Sequence, residues 1–282
     1  IEVRLCAESP SEGFMPQSGT MALWHMPDTL RVEDAVESGS EIPPFYDSMI
    51  AKLISTGADR EEARRRLVSG LKDATALGVE TNQAFLSACL EHPTFIQGEA
   101  TTAFVDNHQD ELLARDQGAD DRARLLAAVL LYTTDAQGSY GGSISTITHR
   151  LPIIFRFSVG GEAADARVSN QGNGTFRIQL DDAATELTLD AVYGARVRFT
   201  CEGLSETAEM IRAGSRLYLR YRGHSYRVDD HTHEAAVAGD EAGDGVIRAS
   251  MNGRVVALHA EEGDTVEAGQ PVVVLEAMKM EH

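Results

Sequence analysis

The chain has 282 residues, 43% of them hydrophobic and 24% charged, which is length for more than one core and an ordinary composition for a globular protein. Its net charge of −19 opposes nucleic-acid phosphates and anionic lipid surfaces, so neither nucleic acid nor membrane is an expected partner, and no apolar run is long enough to cross a bilayer. The three cysteines, Cys6, Cys89 and Cys201, are far apart and form no CxxC pair, which fits a reducing compartment and disfavours structural zinc.

The chain opens on IEVRLCAE, an alternating strand already under way, with no signal-peptide pattern; such a start reads as a fragment. SPSEGFMPQSG breaks regular structure and TMALWHM predicts another strand. DREEARRRLVSGLKDATALGV predicts a helix, with Asp59 as N-cap, Glu62 as reciprocal capping-box partner, Ala63, Leu67 and Leu71 as a buried stripe and Gly78 as the stop. TNQAFLSACLEHP predicts a second helix, capped by Thr81 or Asn82, burying Phe85, Leu86, Cys89 and Leu90 and ending before Pro93.

Around RDQGADDR the composition turns polar, and DDRARLLAAVLLYTT follows as a helix apolar around most of its circumference. Such a helix must be wrapped. Seven short alternating segments supply the wrapping: IIFRFSV, ARVSNQ, TFRIQL, ELTLDAV, ARVRFTC, SRLYLRY and HSYRVDD, the pattern of an antiparallel sheet or barrel. GNGT matches a glycosylation sequon, but Asn173-Gly174 reads as a hairpin tip. EAAVAGDEAGDG reads as a flexible, self-repelling linker. The last unit, from about Gly245, reads as all-β: GRVVALHA, a loop EEGDTVEAGQ, then PVVVLEAMKM with Lys279 at a tip between Met278 and Met280. A lysine there presents an acylatable amine on a long stem, and methionines offer adaptable contact surface; on MKM alone a plain exposed lysine closing a hairpin is the better reading.

EGDTVEAGQPVVVLEAMKMEH resembles the signature of biotin carboxyl carrier domains, whose lysine between two methionines holds biotin through an amide bond. Lipoyl domains typically carry aspartate before their lysine, so Met278 favours biotin. IEVRLCAESPSEGFMPQSG, LRVEDAVESGSEIPPFYDSMIAKLI, GVETN and HPTFIQGEATTAFV resemble the C-terminal part of biotin carboxylase, an ATP-grasp enzyme, over roughly residues 1–107. The domain order resembles the biotin-containing α subunits of acyl-CoA carboxylases.

The resemblance implies a multidomain α+β chain: residues 1–116 as the C-terminal part of biotin carboxylase, 117–233 as a BT-like subunit-interaction domain of one helix and a β-barrel, 234–245 as a linker, and 246–282 as the first half of a carrier domain. It implies covalent biotin on Lys279, with Met278 and Met280 as flanking recognition residues. It implies ATP and Mg or Mn bound by residues upstream of this sequence, and native chain missing at both ends. It gives Arg31 the task of steadying a biotin enolate; without it, Arg31 reads as a surface residue paired with an acid such as Glu33. Glu2 and Arg4 fall in the matching strand and are not read as catalytic. Implied partners are a carboxyltransferase β subunit, which brings the acyl-CoA, a biotin protein ligase and further copies of the chain, in a bacterial cytoplasm or a mitochondrial matrix. EVRLCAE, MPQSG and ALW stand nearer the 3-methylcrotonyl-CoA and geranyl-CoA carboxylases than the propionyl-CoA or acetyl-CoA enzymes. Urea carboxylase and a non-catalytic carrier remain as alternatives. No metal site is read in this chain: HTH at 231–233 reads as a solvated linker, GSYGGS as a loop, and Trp24 as core or a subunit contact.

Overall fold

In a computed structural model the described residues are 1–134, 151–181, 183–234, 254–260, 263, 265–266, 270–277 and 280–281. GSYGGS and the segment 235–245 of the expected linker lie outside them.

The first part is built on an antiparallel sheet in which β1 (Glu2–Cys6) and β3 (Arg31–Asp34) flank β4 (Met49–Ile54). Alternation sends Val3, Leu5 and Leu53 into the core, and where the β1–β4 register shifts both Ile50 and Ala51 are buried there. Helix α1 (Arg60–Asp73) packs Leu67 and Leu71 into the same core. Asp59 caps it by accepting from the Glu62 N–H at 2.8 Å. The reciprocal bond is one residue off the expected box: Glu62 Oε2 accepts from the Ala58 N–H at 2.6 Å.

The helix does not run on to Gly78. It stops at Asp73, Ala74 is extended, and Thr75–Leu77 form β5, paired with β2 (Leu23–His25). Tertiary partners take over the carbonyls released there: Gln83 Nε2 donates to Leu71 O at 2.6 Å and to Ala74 O at 2.8 Å. Gly78 serves the next bend instead, with φ +122° and room for no side chain, since a Cβ would lie 2.3 Å from Ala22 N and from Thr20 O.

Helix α2 (Gln83–Glu91) starts after Asn82. The Asn82 side chain ties to β1 rather than to its own helix, accepting from the Cys6 N–H at 2.9 Å and donating to Arg4 O at 3.2 Å. Of its expected buried set, Leu90 is buried, whereas Phe85, Leu86 and Cys89 are half-buried. Pro93 then opens α3 (Pro93–Ile96) at the position where proline costs no hydrogen bond, and α4 (Phe104–Leu112) follows.

Helix α5 (Gln117–Thr133) is the helix expected to need wrapping. Leu126, Ala127, Ala128, Val129 and Leu130 have no exposed surface, and each fully buried leucine contributes about 2 kcal/mol. The wrapping is a closed antiparallel barrel of eight strands: β6 (Ile153–Val159), β7 (Glu162–Gly172), β8 (Thr175–Leu180), β9 (Ala183–Tyr193), β10 (Arg196–Cys201), β11 (Leu204–Ala213), β12 (Arg216–Tyr221) and β13 (His224–Asp230). Pairing of β6 with β13 closes it. Phe157, Phe176, Phe199 and Tyr221 are buried in the core that α5 shares with the strands. Asn173 and Gly174 both take positive φ, 52° and 77°, the geometry of a tight hairpin turn.

Strand β11 is the one that the alternation did not announce. Only Ala208 and Met210 of it are fully buried, and its acids are held by the barrel itself. Tyr221 OH donates to Glu206 Oε2 at 2.5 Å, and Arg222 pairs with the same carboxylate at 2.6 Å. The ends of α5 are fixed by charge. Near its start, Arg115 pairs with Asp120 at 2.8 Å and Tyr226 OH donates to the same carboxylate at 2.8 Å. At its end, buried Arg212 donates to Thr134 O at 2.6 Å and pairs with Asp230 at 2.7 Å.

The third part is a three-stranded antiparallel sheet, β14 (Arg254–Leu258), β15 (Val273–Ala277) and β16 (Met280–Glu281), with β15 in the middle.

Candidate functional site

Strands β14 and β15 pair Arg254 with Glu276 and Val255 with Leu275. The first pair carries a charged bond, Arg254 Nη2 to Glu276 Oε2 at 2.6 Å, which adds direction to a short sheet. Ala277 of β15 faces Met280 of β16. Between them the sequence places Met278 and Lys279, which lie outside the described residues; Met280 begins β16. Val255, Val256 and Leu258 are exposed on β14. A sheet with uncovered apolar side chains calls for a second layer.

The second place is the outer face of the first sheet. Register aligns Glu2, Ile54 and Arg31 in one row and Arg4, Lys52 and Glu33 in the next. Arg31 is already engaged: its guanidinium pairs with Glu33 at 2.7 Å, and the two side chains are 72% and 53% exposed. That is the geometry of a surface ion pair, which contributes little to stability. Arg4 and Lys52 sit opposite each other with no ion-pair partner among the described residues. Two like charges facing across a strand pair cost stability; Glu33 stands opposite Lys52 on its other side. Sequence reasoning placed Arg4 in the matching strand without reading it as catalytic; only the register puts Lys52 beside it.

The other marked residues have structural partners. Trp24 Nε1 donates to Asp34 Oδ2 at 2.8 Å, and its ring packs against the first core. His231 meets Ser158 Oγ at 3.0 Å and Glu234 Oε2 at 2.9 Å through its two ring nitrogens. Burial pushes the Cys6 thiol up to about 11, with Glu8 adding to it, and burial does the same for Cys89, the opposite of what a nucleophilic thiolate needs.

With this geometry in place, comparison with known proteins is decisive. Residues 2–107 match the family model for the biotin carboxylase C-terminal domain, and residues 245–282 match the model described as biotin-requiring enzyme. The chain carries a biotin carboxylase C-terminal domain and a biotin-requiring-enzyme domain. It is 30% identical to the α subunit of mitochondrial methylcrotonoyl-CoA carboxylase from Dictyostelium discoideum, over 100% of this chain and 44% of that protein. It is 26% identical to the α chain of human mitochondrial propionyl-CoA carboxylase, over 100% of this chain and 42% of that one. Biotin carboxylase 1 of Bacillus subtilis is 43% identical over 110 residues, 38% of this chain and 24% of that protein. The chain thus spans less than half the length of these relatives. Its architecture is the end of a biotin carboxylase, a helix-filled barrel and the start of a biotin-bearing domain.

Proposed function

We propose that this chain is the C-terminal portion of the biotin-containing α subunit of an acyl-CoA carboxylase. The observation that carries the reading is the presence of a biotin carboxylase domain and a biotin domain in one chain, on either side of a barrel. We divide it at 1–116, 117–233, 234–245 and 246–282, with the barrel as the docking unit for a carboxyltransferase β subunit.

In this reading the Lys279 amine forms an amide with biotin, a reaction made by a biotin protein ligase, and its positive charge is lost. Biotin so held supplies a ureido nitrogen able to carry a carboxyl group. Met278 and Met280 offer soft contact surface to the ligase. The chain's cationic contribution to the carboxylation site is the outer face of the first sheet. Arg31 is one candidate for opposing negative charge on biotin there. Arg4 is the second, favoured because it has no paired carboxylate among the described residues, since a guanidinium not already neutralised acts more strongly on a developing anion. ATP and Mg or Mn are taken by residues upstream of this sequence. The acyl-CoA is chosen at the β subunit. EVRLCAE, MPQSG and ALW favour 3-methylcrotonyl-CoA or geranyl-CoA over propionyl-CoA.

The experiment is to express the full-length parent with a biotin ligase and probe it with streptavidin, using Lys279→Arg as control. Label that vanishes in the variant supports the carrier reading; no label on a folded parent overturns it. Bicarbonate-dependent ATP hydrolysis with free biotin then separates an enzyme from a bare carrier. Arg4→Ala and Arg31→Ala in that assay decide between the two arginines.

A further inference from the structure

We propose that His92, His108 and Glu111 form a binding site for a divalent transition-metal ion, zinc being the simplest occupant, which clips the start of α3 to α4. The three side chains come from two places. His92 stands at the joint between α2 and α3, while His108 and Glu111 lie on α4. One potential ligand atom from each lies within 4.8 Å of the others.

The separations suit a coordination site as well as the hydrogen bonds now made. Glu111 turns one oxygen to each ring: Oε2 is 3.2 Å from His92 Nε2, and Oε1 is 3.3 Å from His108 Nδ1. Charged N–H to carboxylate bonds are shorter, about 2.7–2.9 Å. Ligands about 2.05 Å from a tetrahedral zinc stand about 3.3 Å apart. The imidazoles themselves lie 4.3 Å apart between centroids, inclined at 49°, and each turns one nitrogen toward the shared carboxylate. Phe104 backs both rings, at 5.2 and 5.5 Å. The backbone agrees. His108 breaks the helical conformation inside α4, with φ −127° and ψ 16°, and the chain there holds neither proline nor glycine to account for a kink. Two imidazoles and a carboxylate suit zinc, nickel or copper, and the Glu111 side chain, 67% exposed, leaves room for water as a fourth ligand.

One contact must change. His92 Nδ1 accepts the Thr94 N–H at 3.2 Å, which places the proton of the neutral ring on Nε2. A metal replaces that proton, the ring changes tautomer, and the long capping bond to Thr94 is given up in exchange for coordination. Sequence reading had no signal for this site, since fifteen residues separate the two histidines and no metal-ligand spacing links them.

The test is titration of the chelator-stripped full-length chain with zinc alone, followed by calorimetry, and with cobalt, followed by its visible ligand-field absorption. The expected result is one saturable site that His108→Ala and Glu111→Gln each weaken by about tenfold or more, with loss of the cobalt band. His231→Ala, at the other imidazole–carboxylate contact, leaves it intact. Glu111 is exposed, so Glu111→Gln tests the site even where a histidine variant folds poorly. No saturable uptake by the wild-type chain, or equal uptake by wild type and Glu111→Gln, overturns the proposal.

Discussion

Arg220, buried in the barrel, donates from Nη2 to the carbonyl of Leu71 at 2.9 Å, across 149 residues of chain. Leu71 lies in the last turn of α1, so a cation from one unit caps the negative end of a helix in another. Gln83 shares the same carbonyl, and Glu209 approaches the guanidinium at 3.6 Å.

Arg220→Ala is therefore expected to cost about 1.5–3 kcal/mol, the range for a hydrogen bond to a charged group. Urea unfolding followed by two probes, Trp24 fluorescence for the first part and far-ultraviolet dichroism for the whole, checks it. The two curves move apart in the variant, because the barrel no longer holds the end of α1. Coincident curves with an unchanged midpoint would show that the contact is dispensable.

Gly78→Ala is expected to lower stability by at least about 2 kcal/mol. The backbone is in the left-handed half of conformational space, and the new methyl would press on two backbone atoms. Gly98→Ala is the matched comparison: its φ is +78°, yet nothing lies within 4 Å of the new carbon, so only the conformational cost, about 1 kcal/mol, applies. Thermal unfolding of both variants separates crowding from strain.

Native Cys6 and Cys89 should resist alkylation. A thiol moved from 9.0 to about 11 has about 100-fold less thiolate at pH 8. Iodoacetamide labelling, read by peptide mass spectrometry with and without urea, measures this; equal rates in the two states contradict it. The same shifts set a direction for stability. The folded state holds these protons more tightly, so the contribution is complete below pH 9 and fades as pH rises toward 11.

At the acid end the carboxylates control the response. Burial raises the Glu206 carboxyl, but hydrogen bonds from Tyr221 and Arg222 outweigh it and hold the group below its usual 4.5. Asp120 is likewise lowered, burial being overcome by bonds from Arg115 and Tyr226. Folded-state affinity for these protons is weaker, so the stabilisation is present above the ordinary carboxylate range and is lost as pH falls through it. Glu206→Gln should flatten the decline in urea midpoint between about pH 5 and pH 3; an unchanged slope assigns the acid sensitivity elsewhere.

Much of this architecture was legible in the sequence. The all-round apolar run from Leu126 to Leu130 required a wrapper, and seven alternating segments supplied one. What stayed hidden depends on long-range partners. The end of α1 is fixed by Gln83 and Arg220, not by any residue within it. Strand β11 was concealed because Glu206 points to Tyr221 and Arg222, so its polar character belongs to the barrel wall and not to solvent. Arg31 stood out by resemblance, whereas the cationic pair of Arg4 and Lys52 exists only once β1 and β4 are side by side.

The barrel imposes an order on the birth of the protein. Helix α5 leaves the ribosome before any strand that will cover it, and closure needs Phe157 of the first strand to meet Asp230 of the last. Until residue 230 has emerged, the leucines of α5 have no complete lining. The helix is thus made first and sheltered last, and a nascent chain stalled anywhere inside the barrel leaves the most water-averse surface of the molecule open to whatever reaches it first.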